Sequence, residues 1–244
     1  VRSGEIFSRK DVTATTKKIT DRLGEEGYSF TNVNSIPDID KENKTVSLTF
    51  FVDPGKRVYV RRINFSGNNK TRDEVLRREM RQQEGAWIST SQVQRGKLRL
   101  QRTGFFKDVN VETPLVPGTS DQVDVNYSVE EAPGGQFGIG IGFSQTSGII
   151  LTTNLTQDNF LGSGKKVGFV FNNSDINSNY SLSFYNPYYT LDGIGRGFNV
   201  FYKETDAGEA NLSSFSSKDA GADVRFSVPV SENNPIETAF MYQK

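Results

Sequence analysis

The sequence predicts an α+β repeat of β-α-α-β-β modules followed by an antiparallel transmembrane β-barrel, represented here by about seven strands. Three observations carry this prediction. Residues of matching type recur 77 positions apart in the first half: Leu23 and Leu100, Gly27 and Gly104, and the sets Val46, Leu48, Phe50, Val52 and Val123, Val125, Tyr127, Val129. Such a fixed offset marks a repeated supersecondary unit. Charge then thins abruptly. Up to Gly134 there are 22 Lys+Arg and 19 Asp+Glu; beyond it there are 7 and 10. Finally, after Gly135 large apolar residues fall on alternate positions in strand after strand, the period of a pleated strand with two different faces.

Within residues 1–55, Ser8 with Asp11 forms a capping-box-like start for a helix with a sparse stripe of Val12, Ile19 and Leu23, ending near Gly24 and Gly27. A strand is expected over 28–34 and another over 45–52, closed by Asp53-Pro54-Gly55. Residues 56–133 repeat the scheme with more detail: a strand over 58–65, a helix from Thr71 to Gln83 with Val75, Leu76 and Met80 inward, and a helix opened by Ser89 and Gln92 that carries Val93 and Leu100. Strands over 105–112 and 123–129 close the module. The first copy lacks a counterpart to the 58–65 strand, so the pattern reads as part of a longer chain.

From 134 to 244 the apolar parity runs Phe137, Ile139, Ile141, Phe143; Ile149, Leu151, Leu155; Val167, Phe169, Phe171; Tyr180, Leu182, Phe184; Ile194, Phe198, Val200, Tyr202; Ala222, Val224, Phe226, Val228, Val230; and Ile236, Phe240, Tyr242. The other parity is mostly Gly, Ser, Asn, Asp, Thr or Arg. Lipid-facing strands of a barrel alternate this way. A soluble β-sandwich produces the same alternation with its apolar parity turned to a core, so the alternation alone leaves both open. Connections at 158–164, 187–193 and 231–234 are short, whereas 204–219 reads as the longest polar loop; this places the modules on the short-turn, periplasmic side. Seven strands are fewer than the eight of the smallest barrels.

Composition limits the chemistry. Cysteine and histidine are absent, which removes disulfides, thiolate metal sites and the commonest acid–base group. No apolar run is long enough for a transmembrane helix. No carboxylate pair or Ser/Lys dyad is singled out by spacing, so the chain is read as non-enzymatic, with no cofactor or metal. Gly138-Ile139-Gly140 is not a dinucleotide fingerprint, because no helix follows it. Arg72, Arg77, Arg78, Arg81, Arg95, Arg99 and Arg102 make the second module basic, but Glu74, Glu79 and Glu84 are interspersed and no aromatic platform accompanies them. Solvated helix faces are therefore expected rather than a nucleic-acid site, with attraction to anionic lipid headgroups a lesser reading. Trp87 is expected in the module core or at an interface.

The stretch Phe137-Gly138-Ile139-Gly140-Ile141-Gly142-Phe143 is the best candidate site. Each strand glycine costs about 0.5–1 kcal/mol relative to alanine, so the three together weaken this strand by about 2–3 kcal/mol if their effects add. A weak strand at a seam offers backbone groups to an incoming strand; alternatively, the glycines only make room for packing inside the lumen. Glu84 is the second candidate, since a carboxylate at the C-terminal end of a 71–83 helix opposes the dipole.

Ile63-Asn64-Phe65-Ser66-Gly67-Asn68, Val75-Leu76-Arg77-Arg78-Glu79-Met80, Glu84-Gly85-Ala86-Trp87, Arg102-Thr103-Gly104-Phe105-Phe106, Gln157-Asp158-Asn159-Phe160-Leu161-Gly162-Ser163-Gly164 and Asn186-Pro187-Tyr188-Tyr189-Thr190-Leu191-Asp192-Gly193 occur in this order. With them the chain resembles the BamA-type outer-membrane assembly factors of Gram-negative bacteria, POTRA domains followed by a membrane barrel. The resemblance implies that residues 1–55 are most of a fourth POTRA domain, 56–133 a fifth, and 134–244 the start of the barrel. It also implies a role in folding and inserting outer-membrane β-barrels within the BAM complex, a lateral gate at the first barrel strand, and a contact between Glu84 and a cationic side chain of the lipoprotein BamD. Nascent barrel proteins and outer-membrane lipid are the other implied partners. A TamA-type or two-partner-secretion translocator is the related alternative, and a soluble periplasmic scaffold the unrelated one.

Overall fold

The computed structural model describes residues 1–2, 4–206, 215–231 and 234–244. One compact unit comprises Val1–Asn69 with Leu76–Glu131; the other comprises Lys70–Val75 with Ala132–Lys244.

In the first unit, α1 (Arg9–Glu25) starts at Ser8, whose hydroxyl accepts from the Asp11 amide at 3.4 Å. It is followed by the hairpin β1 (Asn32–Asp40) and β2 (Thr45–Asp53). The expected strand over 28–34 is therefore displaced: it begins four residues later and runs through Pro37 to Asp40. Proline is tolerated because β1 lies at the edge of a two-stranded sheet, where its missing N–H need not break a ladder. The hairpin closes on Asp40, whose carboxylate accepts from the Glu42 and Asn43 amides at 2.9 and 3.0 Å. These bonds favour its charged form and hold its carboxyl below the usual range, the Asn43 amide contributing most.

The second module contains β3 (Tyr59–Ser66), α2 (Asp73–Arg77), α3 (Thr90–Arg102), β4 (Phe106–Glu112) and β5 (Gln122–Glu131). Its sheet has the order β3-β5-β4, with β3 parallel and β4 antiparallel to β5. The expected β-α-α-β-β order is present, and Ser89 caps α3 by accepting from the Gln92 amide at 3.3 Å. Val60 and Ile63 of β3, separated by a bulge, join Val123, Val125 and Tyr127, alternate residues of β5, and Val93 and Leu100 on the inner face of α3 in one buried core. The Tyr127 hydroxyl donates to the Val93 carbonyl at 2.8 Å, so its polar end is satisfied inside that core. Burial pushes the phenol pKa up. Gly67 ends β3 with φ +87°, and a side chain there would collide with the Val129 backbone.

The helix expected over 71–83 is a correction. Only Asp73–Arg77 is helical, because the backbone that follows pairs elsewhere. The Gly85 amide donates to the Val60 carbonyl at 2.7 Å, the Val60 amide to Ala86 at 2.9 Å, and the Ile88 amide to Val58 at 2.9 Å. Residues 85–88 thus line the edge of β3. The Gln82 side chain holds the approach by donating to the Trp87 carbonyl and accepting from the Ser89 amide.

The second unit is a seven-stranded antiparallel meander, β6 (Gly135–Ser144), β7 (Gly148–Gln157), β8 (Lys166–Asn173), β9 (Asn177–Asn186), β10 (Gly195–Asp206), β11 (Ser216–Ser231) and β12 (Asn234–Gln243), each paired with its neighbours in sequence. The loop expected over 204–219 is shorter, because Glu204, Thr205 and Asp206 pair with Lys218, Ser217 and Ser216; residues 207–214 lie outside the described residues. The faces are sorted opposite to a soluble sheet. Ile141 and Phe143 are each 77% exposed, whereas Asp223 and Ser227 of the polar parity are 5% and 6% exposed. Asp223 is bonded within this face: Ser181 donates to Asn199 at 2.7 Å and Asn199 to Asp223 at 2.9 Å. An apolar outside with a bonded polar inside is the arrangement of a lipid-facing barrel wall.

Candidate client interface at the first barrel strand

All seven candidate residues Phe137, Gly138, Ile139, Gly140, Ile141, Gly142 and Phe143 lie in β6, which pairs with β7 from Gly135↔Gln157 to Ser144↔Gly148 without a bulge. Pairing on its other edge is absent among the described residues. The backbone N–H and C=O groups along that edge are the ones through which a further strand would pair. Phe137, Ile139, Ile141 and Phe143 are all exposed on one face, so this edge carries an apolar strip suited to lipid or to another strand's apolar face.

The three glycines are not equivalent. A Cβ at Gly138 would overlap the Asn154 side-chain oxygen, and one at Gly140 would overlap the Thr152 hydroxyl. Both neighbours stand on β7 directly opposite, and the Thr152 hydroxyl donates to the Gly140 carbonyl at 3.4 Å. Gly142 faces Ile150, and its added Cβ would sit 3.8 Å from the Ile150 Cβ, an ordinary contact. Packing inside the sheet thus accounts for glycine at 138 and 140. It does not account for Gly142, where only backbone freedom distinguishes glycine from alanine.

Glu84 belongs to the other unit. It is not a helix-terminal acid, as expected from the sequence, but a ligand for the β3 edge: its Oε1 accepts from the Ile63 amide at 2.8 Å and from Arg77 at 3.2 Å. Arg77 also donates to the Ile63 carbonyl at 3.3 Å and lies 5.3 Å from the centroid of the Phe65 ring. The Ile63 amide, and after it Arg77, hold the Glu84 carboxyl below the usual range. The side chain remains 44% exposed, so a charged acceptor faces outward from a fixed position.

Two other arginines of the second module sit on acids. Arg99 donates to the Glu79 carboxylate at 2.7 Å and to its carbonyl at 3.1 Å, and Arg61 is bidentate on Asp124. Trp87 is an interface residue rather than a core one. It is half exposed, and Arg57 reaches between its ring and that of Tyr28, 5.2 and 5.3 Å from the two centroids. Arg57 was not singled out in the sequence; its position just after the Asp53-Pro54-Gly55 turn, where the two repeats join, was the available signal.

Known proteins agree with this architecture. POTRA models (surface antigen variable number repeat) match residues 1–55 and 58–132, and the Omp85 superfamily domain matches 159–244. Outer membrane protein assembly factor BamA of Neisseria meningitidis is 38% identical over 97% of this chain, and that of Buchnera aphidicola 31% over 99%. The chain spans 30% and 39% of the lengths of these two relatives. The crystal structure of BamA from Haemophilus ducreyi lacking POTRA domains 1–3 superposes with a TM-score of 0.86 at 39% identity, covering 99% of this chain and 46% of that one. Its repeated α+β modules and lipid-facing sheet, together with these matches, show that the chain belongs to the BamA-type outer-membrane proteins of the Omp85 superfamily, with its barrel in the outer membrane and its POTRA modules in the periplasm.

Proposed function

We propose that this protein folds and inserts β-barrel proteins into the outer membrane, with β6 as the strand that receives the client. The observation that carries the reading is Gly142: a glycine inside the first strand of the sheet, with room for a side chain that it does not use. Weak pairing lets β6 separate from a closing strand at small cost. Its free backbone groups then align an incoming client strand by main-chain hydrogen bonds, and its apolar side chains meet the client's lipid face. No covalent chemistry is required. The free energy released as the client buries its backbone groups in lipid drives the step.

In the same reading, residues 1–55 and 56–133 are the fourth and fifth POTRA domains, and Glu84 offers its free Oε2 to a basic side chain of a BamD-like lipoprotein. The Ile63 amide, and after it Arg77, fix the carboxylate and keep it ionised, so the lipoprotein meets a prepared acceptor. That relatives of this chain are outer membrane protein assembly factors supports the role.

Reconstitution tests it. The full-length protein in liposomes, given a denatured barrel client, should fold the client faster than protein-free liposomes do. Gly138→Val together with Gly140→Val, which places branched side chains against Asn154 and Thr152, should slow that folding. Equal rates with and without the protein would overturn the proposal.

A further inference from the structure

The end of the sheet at which β6 begins, the periplasmic end, carries a cation that the β6 reading does not use. Arg196 lies on β10 in the same parity as Phe198, Val200 and Tyr202, the lipid-facing parity. Its guanidinium carbon is 3.6 Å from the centroid of the Tyr189 ring and 4.8 Å from that of Phe198. At 3.6 Å the guanidinium has to lie nearly flat on Tyr189, because an edge-on nitrogen would overlap the ring. A stacked guanidinium keeps its N–H groups in its own plane, directed away from the ring. No carboxylate of the described residues is within ion-pair distance of Arg196.

The tyrosine platform is itself fixed. Tyr189 donates its amide to the Ile194 carbonyl at 2.8 Å, the Ile194 amide donates to the Thr190 hydroxyl at 3.2 Å, and Gly193 turns the chain at φ +84°. The tip of this turn presents Leu191, which is fully exposed. Depth is set by the aromatic rows. Phe184 and Phe198 pair across β9 and β10 near the turns, and Phe171, Tyr180 and Tyr202 form a row farther along β8, β9 and β10. Arg196 is one outward step beyond the turn-side row, where a membrane's polar headgroups begin.

We infer that Arg196, stacked on Tyr189 and next to Phe198, is a binding site for the phosphate of a membrane phospholipid in the periplasmic leaflet. The guanidinium fork binds the phosphodiester oxygens, and the Phe198 ring, one step toward the membrane interior, meets the first carbons of the acyl chains. The site anchors the β9–β10 turn at headgroup level. It rests on the sheet lying in a membrane and not on β6 receiving clients.

The test uses full-length protein in detergent and native mass spectrometry, titrated with phosphatidylglycerol. Arg196→Gln should weaken the tightest retained lipid by about fivefold, the order expected of one basic side chain at an anionic surface. Diacylglycerol with the same tails should not separate wild type from variant, and millimolar inorganic phosphate should not displace the lipid. If Arg196→Gln fails to give a folded barrel by heat-modifiable gel migration, Tyr189→Leu, which removes the platform and keeps the charge, should weaken the lipid in the same sense. Equal retention of phosphatidylglycerol by wild type and the folded variant would overturn the inference. So would an equal loss of diacylglycerol, which would make the contact purely apolar, or displacement by free phosphate, which would make it a soluble-anion site.

Discussion

Gly140 of β6 and Thr152 of β7 are direct cross-strand partners, and the threonine hydroxyl occupies the space that a side chain at 140 would need while donating to the Gly140 carbonyl. Two positions along, Gly142 has no such occupant. This asymmetry separates packing from backbone weakness within one strand.

Gly142→Ala should therefore strengthen β6 by about 0.5–1 kcal/mol, since alanine loses less backbone freedom on entering a strand and meets only an ordinary contact with Ile150. Hydrogen exchange of the β6 amides should slow, and client insertion by the full-length protein should slow with it. Gly140→Ala should do neither, because the gain is offset by displacing Thr152.

Glu84 makes a pH-dependent contribution whose sign follows from its lowered pKa. An acid depressed in the folded state stabilises at pH above its unfolded value, about 4.3, and that contribution is lost as pH falls through the lower folded value. The protection factor of the Ile63 amide should accordingly fall below about pH 4 in the wild type. In Glu84→Gln it should be lower at pH 7 and nearly independent of pH.

Arg57→Ala should loosen the joint between the two POTRA repeats. It removes two ring contacts, together about 1–2 kcal/mol in a partly desolvated setting. Spin-label distances between α1 and α3 should broaden. Arg57→Lys should restore little, since an ammonium does not stack between Tyr28 and Trp87.

Gly96 and Tyr127 form a coupled pair in the second module. A Cβ at 96 would lie 2.7 Å from the tyrosine hydroxyl oxygen and 3.1 Å from the Met80 sulfur. Gly96→Ala should destabilise the module, Tyr127→Phe should cost about 1 kcal/mol through the lost bond to Val93, and the double variant should be less destabilised than the two losses combined.

Much of this was legible in the sequence because it depends on period. The alternation from Phe137 to Tyr242 identified the strands, and the 77-residue offset identified the repeat. The short α2 was not legible: Val75, Leu76 and Met80 satisfy a helical stripe, but residues 85–88 take their hydrogen bonds from β3, a long-range choice that local spacing does not encode. Pro37 hid β1 for a related reason, since only the sheet's edge makes proline acceptable there. At the candidate sites, the exposed face of β6 was readable, whereas the difference among its glycines depends on which β7 side chain stands opposite. Glu84 was singled out by a dipole argument that does not apply; its actual position follows from the Ile63 amide and Arg77. The sequence signal of Arg196 is a cation on a lipid-facing parity.

The most direct measurement places a photo-crosslinking residue at each position from Phe137 to Phe143 of the full-length protein, in cells expressing a barrel client. If β6 receives the client, crosslinks to the client alternate along β6 and fix the register of the added strand. Crosslinks confined to the protein's own strands while clients insert normally would contradict it.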